Sequence, residues 1–487
     1  MTADQVFRLY IDGEWVEPAN GRYPVINPAT EDVVADAPEA SREQVYEACK
    51  AAKAAFPAWS RTKPEERAEI LHRVADVIAK HADDYAPLAQ AETGATSATV
   101  KALQVNVAVQ RFRRYAKGAL EPVEIPLPPM VTESTPLSKG GLLGALVVRQ
   151  PVGVVTCITS YNNPWANPAG KIAPALAMGN TLVVKPAPQN PLSVYRMAEA
   201  LEEAGLPPGV CNVVSGASID VGEATVDSPD VDMVSFTGST TVGRAIGAVA
   251  GGQMKRVLME LGGKGAAVVC ADADVAAAVS AIGTTFSFYA GQICTAPTRV
   301  YAHRDVYEQV VQGLAQYAGA IKIGDPTAKD TVVGPVISAA HRDRIEGYIQ
   351  SGRDDGAKLV VGGDRPSLDK GFFVAPTLFA ECHNDMRIVR EEIFGPVVSV
   401  VPFDDEDEVI AMANDSDFGL INYVWSKDAG RAYRIARQLR AGTVDVNTVA
   451  QQMEAPFGGF KQSGVGRDRG SFGLHAYSEM QAIVWPS

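Results

Sequence analysis

The sequence predicts an α/β protein of two or three domains that contains parallel β-sheets. At 487 residues the chain is longer than one ordinary domain. Its composition, with 46% hydrophobic and 21% charged residues, is typical of a folded globular protein. From residue 152 onward, short apolar runs rich in β-branched residues alternate with helical segments. Strands separated by helices of this length indicate right-handed crossovers and therefore a parallel sheet.

The N-terminal part is predicted to be a hairpin followed by helices. Residues 9–16 are typical of a hairpin with its turn at Asp12-Gly13. Ser41 is a good helix N-cap, and an alanine-rich amphipathic pattern continues from it to residue 59. Lys63-Pro64 opens a second helical stretch, with proline in the first turn. Helical patterning then continues, with breaks, to residue 117.

A proline-rich segment separates these helices from the alternating region. Residues 122–136 contain five prolines, at positions 122, 126, 128, 129 and 136. Proline removes a backbone donor and breaks a helix interior, so the segment is not helical. It predicts an extended arm or a crossing between domains.

The alternating region places three polar segments at the ends of predicted strands. The predicted strands are residues 152–158, 181–184, 210–214, 233–236 and 266–269, and the helices between them are residues 169–177, 193–204 and 241–250. The polar segments are residues 160–164, 185–188 and 236–243. In open parallel sheets the ligand crevice lies at the carboxyl ends of the strands, so these segments are predicted to border it.

Residues 236–243 allow two interpretations. Gly238 lets the backbone approach a ligand closely, Ser239 and Thr240 offer hydroxyl groups, and the following helix presents free amides. The same residues are also typical of an ordinary capped helix, because the segment matches neither GxGxxG nor a Walker motif. Lys185, at the end of a strand, is similarly either a solvated lysine or a contact for a ribose or a phosphate.

A second unit begins after residues 260–264, and it contains a notable cysteine. Its predicted elements are residues 306–320, 339–353, 358–361, 372–375, 397–402, 407–414, 431–438 and 443–446. Cys294 ends a run of aromatic and small residues and has no charged neighbour until Arg299. By itself it is either a buried small apolar residue or a nucleophile facing a pocket.

Charge and cysteine usage exclude several classes of function. The formal net charge is −13, and no run of lysine and arginine interrupts it, so neither nucleic acid nor an anionic membrane is an expected partner. Neither a signal-peptide core nor an apolar run near about 20 residues is present. The six cysteines form no CxxC pair, which favours a reducing, cytoplasmic location and argues against a metal site.

Seven motifs together resemble the aldehyde dehydrogenase family in order and spacing. They are Asn162 within residues 160–164, Lys185-Pro186, and residues 236–243, 260–264, 291–294, 392–396 and 456–463. The resemblance covers nearly the whole chain and implies an aldehyde dehydrogenase-like α/β fold. It implies a Rossmann-type cofactor domain (residues 1–121 and 144–262) and an α/β catalytic domain (residues 263–465). A β oligomerisation arm (residues 122–143 and 466–487) would assemble a homodimer or homotetramer.

The resemblance also implies a mechanism. Oxidation of an aldehyde by hydride transfer requires a tetrahedral adduct, for which Cys294 is the implied nucleophile. The Asn162 amide and the Cys294 backbone N–H are the implied oxyanion donors, and Glu260 is the implied base that activates water. The implied contacts to NAD or NADP are Lys185, Phe236, Gly238, Ser239, Gly243, Glu392 and Phe394. The implied walls of the aldehyde pocket are Tyr161, Phe288, Gln451 and Phe457.

Two positions depart from the family pattern. NAD-preferring members often carry a glutamate three residues after the ribose lysine, where this chain has Pro188, so NADP use is open. Many members carry a second glutamate near the C-terminus, where this chain has Ser471, so a proton relay through that position is not expected. The alternatives are a CoA-acylating member, against which Glu260 argues, and a non-catalytic member, against which Cys294 and Asn162 argue.

Overall fold

The computed structural model describes residues 6–486. The strands are β1 (Leu9–Ile11), β2 (Glu14–Val16), β3 (Arg22–Ile26), β4 (Val33–Pro38), β5 (Glu124–Thr132), β6 (Gly141–Pro151), β7 (Val154–Ile158), β8 (Thr181–Lys185), β9 (Cys211–Val213), β10 (Met233–Thr237), β11 (Arg256–Glu260), β12 (Ala266–Val269), β13 (Arg299–His303), β14 (Lys358–Val361), β15 (Thr377–Ala380), β16 (Val397–Phe403), β17 (Phe418–Gly419), β18 (Ile421–Trp425), β19 (Thr443–Val446), β20 (Phe460–Lys461), β21 (Gly464–Val465) and β22 (Ser478–Pro486).

The helices are α1 (Arg42–Trp59), α2 (Pro64–Lys80), α3 (Ala82–Thr93), α4 (Ser97–Thr99), α5 (Asn106–Gly118), α6 (Ala166–Ala177), α7 (Leu192–Glu203), α8 (Ile219–Asp227), α9 (Thr240–Gly252), α10 (Val275–Ser287), α11 (Tyr307–Ala320), α12 (Ala339–Asp354), α13 (Arg387–Arg390), α14 (Glu406–Asn414), α15 (Ala429–Gln438) and α16 (Gly470–His475). A π-helical turn lies at Val100–Val105, and a 3₁₀ turn lies at Phe288–Gly291.

The N-terminal elements confirm the predicted hairpin and first helices. Asp12 and Gly13 both have positive φ, 54° and 81°, which is the backbone geometry that a two-residue hairpin turn needs. Ser41 caps α1: its side chain accepts from the Gln44 backbone N–H, and the Gln44 side chain accepts from the Ser41 backbone N–H. Pro64 is the first residue of α2, where its missing N–H costs no helical hydrogen bond.

The first large sheet confirms the predicted parallel α/β architecture. Its eight strands follow the order β2-β1-β9-β8-β7-β10-β11-β21, and the five from β9 to β11 are parallel. β7 and β8 are buried along their whole length because helices cover both faces of the sheet. The chain runs outward from β7 to β9 and then resumes at β10 on the other side of β7. This reversal of strand order creates a crevice at the carboxyl ends of β7 and β10.

The second large sheet has seven strands in the order β14-β15-β16-β13-β12-β18-β19. All neighbours are parallel except β14 and β15. The element predicted at residues 372–375 is wrong, because this segment is a loop and the nearest strand is β15. The loop backbone is hydrogen-bonded elsewhere: Phe372 N donates to Pro28 O, and Val336 N donates to Phe372 O.

A separate three-stranded antiparallel sheet is formed by β5, β6 and β22. The prediction that residues 122–136 are extended is confirmed by β5, whose register shifts between Leu127 and Met130 across two prolines. β22 pairs with β6 from Ser478 to Pro486, so the C-terminal segment closes this sheet.

Residues 6–486 contain neither a membrane-spanning helix nor a cluster of metal-binding side chains. No helix among them is both long enough and apolar enough to cross a lipid bilayer. Within the same range, no three histidine, cysteine, aspartate or glutamate side chains gather as a metal ion would require.

Candidate active site

Four predicted site residues lie at one edge of the first sheet, at the carboxyl ends of its strands: Lys185, Phe236, Gly238 and Glu260. Strand register places Ile158, Lys185 and Phe236 side by side at the ends of β7, β8 and β10. Thr237 pairs with Glu260 at the end of β11, and the Gly238 N–H donates to the Glu260 carbonyl at 3.1 Å. The segments that carry Asn162 and Ser239 therefore start from the same row of strand ends.

The loop that carries Cys294 is strained and closely packed. Tyr289, Ala290 and Gly291 lie consecutively in the left-handed region, with φ of 50°, 53° and 71°. Such conformations cost about 1–3 kcal/mol each for residues other than glycine, and they concentrate at functional sites. At Gly291 an added Cβ would lie 2.2 Å from the Gly395 carbonyl carbon, so this position requires glycine. The buried Gln292 side chain fastens the loop, since it donates to Tyr289 O at 3.1 Å and accepts from Ile337 N at 2.9 Å.

The Asn162 amide faces the Cys294 loop. Its Nδ2 donates to Gln292 O at 2.9 Å, across the two sheets. Its Oδ1 accepts from the Ser160 hydroxyl at 2.8 Å and from Asn167 Nδ2 at 3.3 Å. Because two donors hold the oxygen, the amide nitrogen is directed toward the segment that contains Cys294.

Cys294 differs from the other cysteines in exposure. It is partly exposed, whereas the other five cysteines are buried. Burial raises the pKa of the Cys294 thiol to about 12, and the Glu260 and Glu392 carboxylates raise it further, while the Arg469 guanidinium opposes them. The thiol is therefore protonated at neutral pH, and a thiolate nucleophile requires a base or a cation nearby.

Glu260 is a buried carboxyl group without a hydrogen-bond partner. It is 5% exposed, and neither carboxylate oxygen is hydrogen-bonded in the described structure. Burial raises its pKa well above the usual range, and Asp468 adds to the shift, whereas Lys171 and Arg469 oppose it. A carboxyl group with a raised pKa can both accept and return a proton near neutral pH.

The turn after β10 packs closely because of its glycines. At Gly238 an added Cβ would lie 2.4 Å from the Phe236 ring, and at Gly243 it would lie 2.5 Å from the Leu261 side chain. Ser239 is the N-cap of α9, since its hydroxyl accepts from Val242 N at 3.3 Å. The other backbone amides of the first turn remain available to an anion, which the N-terminus of a helix favours.

Lys185 and Glu392 differ in their hydrogen-bond and ion-pair partners. Burial lowers the pKa of Lys185 to about 8, and no carboxylate within 4 Å pairs with it in the part of the chain that the structure describes. The Glu392 carboxylate accepts from Gly263 N at 2.8 Å, and an added Cβ at Gly262 would meet its other oxygen at 2.2 Å. Burial raises the pKa of Glu392.

The residues predicted to wall the aldehyde pocket fall into two groups. The Tyr161 ring packs edge-on against Phe394, with centroids 5.9 Å apart, and Phe288 packs against the core of the first sheet. Phe457 and Gln451 instead gather around Arg469, whose guanidinium lies 4.0 Å from the Phe457 ring centroid and donates to Gln451 Oε1 at 2.7 Å. That these four residues line one aldehyde pocket stays a prediction.

Comparison with known proteins shows the family to which the chain belongs. The model of the aldehyde dehydrogenase family matches residues 15–483. The chain belongs to the aldehyde dehydrogenase family. A betaine aldehyde dehydrogenase of Bacillus subtilis (strain 168) is 39% identical to this enzyme over 486 residues, which covers 98% of this chain and 96% of that protein.

Solved structures of relatives show the same fold. The NAD+ complex of an aldehyde dehydrogenase from Bacillus cereus has a TM-score of 0.93 at 37% identity and covers 99% of this chain and 97% of its own. A betaine aldehyde dehydrogenase from Staphylococcus aureus, in complex with NAD+ and with a BME-modified cysteine, also has a TM-score of 0.93. It is 38% identical and covers 98% of this chain and 95% of its own. The aldehyde dehydrogenase fold predicted from the sequence is confirmed.

Several residues of this aldehyde dehydrogenase site were not predicted from the sequence. Asn167 and Ser160 orient the Asn162 amide. The sequence indicated them only as polar residues close to the Asn162 motif. Asp468 and Arg469 act electrostatically on Glu260, although they lie about 200 residues away in sequence. At the position of the family's second glutamate, the Ser471 hydroxyl accepts from Arg114 at 3.2 Å.

Proposed function

We propose that this enzyme oxidises an aldehyde to a carboxylic acid with NAD+ or NADP+, through a thioester on Cys294 that water hydrolyses. The observation that carries the proposal is the Asn162 amide, which two donors hold and which faces the Cys294 loop. Cys294 is also within electrostatic reach of the unpartnered Glu260. The test is the product: with a generic aldehyde and no coenzyme A, the enzyme should form one carboxylic acid for each reduced nicotinamide.

In this mechanism the Cys294 sulfur attacks the carbonyl carbon, and the thiol proton passes to Glu260. The Asn162 Nδ2 and the Cys294 backbone N–H would then donate to the resulting oxyanion, and the loss of one such donor typically costs about 10²–10³ in rate. The nicotinamide, when bound, supplies a hydride acceptor. Glu260 gives the thiol proton to solvent and then takes a proton from water, which attacks the thioester carbon and releases the Cys294 thiolate.

The residues of the crevice fit a dinucleotide. The glycine-lined turn at 238–243 and the free amides of α9 suit a pyrophosphate, and Lys185 has no carboxylate partner among the described residues. Two apolar side chains on α8 and α9 are exposed, Ile219 at 75% and Val249 at 41%, and a flat adenine ring would cover them. Glu392 would hold the nicotinamide ribose, with Phe394 beside the nicotinamide.

Cofactor choice should be permissive, with NADP+ accepted to a measurable extent. The charged neighbour of Lys185 is Glu39, but its carboxylate accepts from Ala217 N at 2.7 Å and Ser218 N at 3.0 Å. These two bonds hold the Glu39 carboxylate on the residue 217–218 backbone, and position 188 itself carries a proline, so no acidic side chain at position 188 repels a 2′-phosphate. Pro188→Glu should lower kcat/KM for NADP+ about tenfold relative to NAD+, by like-charge repulsion. The uncharged control Pro188→Gln should keep the original ratio, and equal ratios in the two variants would contradict the argument.

We further propose that the sheet of β5, β6 and β22 is an oligomerisation arm of a cytoplasmic homodimer or homotetramer. The arm exposes apolar side chains that a monomer would leave in water, among them Val131 at 78% and Val484 at 59%. A second copy of the chain would bury them.

The double variant Val131→Asp/Val484→Asp should shift sedimentation toward the 51.6 kDa monomer, because a buried interface would then contain unpaired charges. Val33→Asp places the same charge on an exposed valine outside the arm and should leave the assembly intact. A native enzyme that sediments as a monomer at micromolar concentration would refute the proposed arm.

A further inference from the structure

A cavity of about 140 Å³ lies beside the candidate active site, and three arginines line it. The lining comes from α5, from α6 and from the C-terminal segment, and it includes Arg111, Arg114, Gly170, Glu454, Asp468 and Arg469. Such a positively charged lining is unusual for a site that accepts apolar aldehydes, because small-molecule pockets are mostly apolar with a few placed polar groups.

One of the three arginines is already neutralised. Arg114 pairs with Glu454 at 2.5 Å and with Glu121 at 3.0 Å, and it also donates to Ser471. Its single positive charge therefore faces two carboxylates, one of which, Glu454, also lines the cavity. Arg114 thus contributes little net attraction for a ligand.

The other two arginines have only neutral partners. Arg111 donates to the Ala166 carbonyl at 2.5 Å, and Arg469 donates to the Gln451 amide oxygen at 2.7 Å. Across residues 6–486, neither guanidinium has a carboxylate within 4 Å. Asp468 also lines the cavity, and its Oδ1 is buried without a hydrogen-bond partner. Its charge acts on both Glu260 and Arg469, but it forms no ion pair within 4 Å with Arg469 among the described residues.

The two free guanidinium groups are close enough to repel each other. Burial, and then the Arg111 charge, lower the pKa of Arg469 to about 10, while Asp468 and Glu260 oppose them, so Arg469 remains cationic at neutral pH. An anion in the cavity would relieve this repulsion and replace the missing partners. A planar guanidinium binds a carboxylate through paired hydrogen bonds.

Gly170 provides the space for Arg111. An added Cβ at this helical position would lie 2.0 Å from Arg111 Nη1. Glycine inside a helix costs about 0.5–1 kcal/mol relative to alanine, and here its effect is to place a charge at the cavity wall.

Arg469 connects this cavity with the reacting groups. Its positive charge lowers the pKa of both Cys294 and Glu260, so it lies within electrostatic reach of the nucleophile and the base. A molecule whose aldehyde carbon meets Cys294 can therefore extend its far end toward Arg469 and Arg111.

We propose that the substrate is an aldehyde that carries a carboxylate at its far end, bound by Arg111 and Arg469. This inference rests on the proposed function, since it names the substrate class of the same site. A cationic aldehyde would meet the same two guanidinium groups and is disfavoured.

The test compares matched series of aldehydes on the full-length enzyme. Succinic, glutaric and adipic semialdehydes are each paired with the alkanal of equal carbon number, and betaine aldehyde is the cationic probe. For at least one chain length, kcat/KM for the semialdehyde should exceed that for the alkanal by about 100-fold, as expected for charge-assisted hydrogen bonds. Betaine aldehyde should be the poorest substrate.

Substitutions of Arg111 test whether the preference for semialdehydes arises in this cavity. Arg111→Met should reduce the ratio of semialdehyde to alkanal kcat/KM at least about tenfold, and Arg111→Lys should restore part of it because the charge returns. Arg113→Met is the matched control, since Arg113 lies on the same helix but is exposed and pairs with Asp76. It should leave the ratio unchanged.

A binding measurement gives a second, independent readout. Succinate should inhibit the wild-type enzyme at a concentration at least about tenfold lower than butyrate, and Arg111→Met should remove this difference. The inference would be overturned if kcat/KM for the alkanals equalled that for the semialdehydes at every chain length. It would also be overturned if Arg111→Met lowered kcat/KM equally for both kinds of aldehyde. Either result would leave the proposed function standing. Failure to oxidise any aldehyde would overturn both.

Discussion

Cys294→Ala is expected to lower kcat by on the order of 10⁴-fold or more on every aldehyde, because no other side chain can form the thioester. Cys294 alone among the six cysteines is partly exposed, and the Asn162 amide faces its loop. NAD+ binding should change little, since the turn at 238–243 and Lys185 do not depend on the sulfur. The measurements are steady-state formation of reduced nicotinamide and a titration of cofactor binding.

A buried cysteine provides the matched control for this variant. Cys270 lies in the core of the second sheet, so Cys270→Ala removes a sulfur without touching the site. It should retain most of the activity and lose only some stability. A Cys294→Ala enzyme that keeps a substantial part of its kcat on a good aldehyde would show that the covalent mechanism is wrong.

Glu260→Gln is expected to produce a burst of reduced nicotinamide near one equivalent per active site, followed by slow turnover. The substitution keeps the size of the side chain but removes the base that activates water, and general bases typically contribute about 10²–10⁴-fold. Thioester would then accumulate on Cys294, provided that the thiol can still ionise. Rapid mixing measures the burst, and the steady-state rate is read from the same trace.

The pH dependence distinguishes two roles of Glu260. Burial raises the pKa of both Cys294 and Glu260, so the reactive base forms become populated only as pH increases, and wild-type kcat/KM should rise as the pH increases from neutral into the alkaline range. In Glu260→Gln the burst should still rise with pH. Its midpoint should move to lower pH, because the carboxylate that raises the thiol pKa is gone.

Other results for Glu260→Gln would indicate a different role for Glu260. If Glu260 mainly deprotonates Cys294, the burst itself should be slow at neutral pH and recover in alkaline solution. Glu69→Gln, at an exposed glutamate of α2, should leave both phases unchanged. An undiminished burst together with undiminished steady-state turnover in Glu260→Gln would remove this residue from the mechanism.

Local patterns were sufficient for much of the first sheet. The buried strands β7 and β8 are continuous apolar runs, and the alternation with helices indicated that they are parallel. Parallel strands share one carboxyl edge, so the positions of Asn162, Lys185 and Ser239 near one crevice followed from the chain order. By contrast, β11 (Arg256–Glu260) was not predicted, since its charged ends leave only a short apolar run.

The motifs alone could not determine the direction of each side chain. Tyr161 is adjacent to Asn162 in sequence, but its ring packs edge-on against Phe394, whereas the Asn162 amide faces the Cys294 loop. Consecutive residues of a loop point in different directions, and the neighbours that fix those directions come from the second sheet. Similarly, the Asn162 amide is oriented by Ser160 and Asn167, which only the folded loop and helix bring into contact with it.

The sequence by itself determined the α/β class, the family resemblance and the order of the motifs that carry Cys294, Glu260 and Asn162. Each of these depends on residues that lie close together along the chain. Only the tertiary structure decided which charges face the reacting groups. Arg111, Gly170 and Arg469 lie on three separate segments, and their effect depends on distance in space and on burial, which raises or lowers a pKa according to the charges nearby.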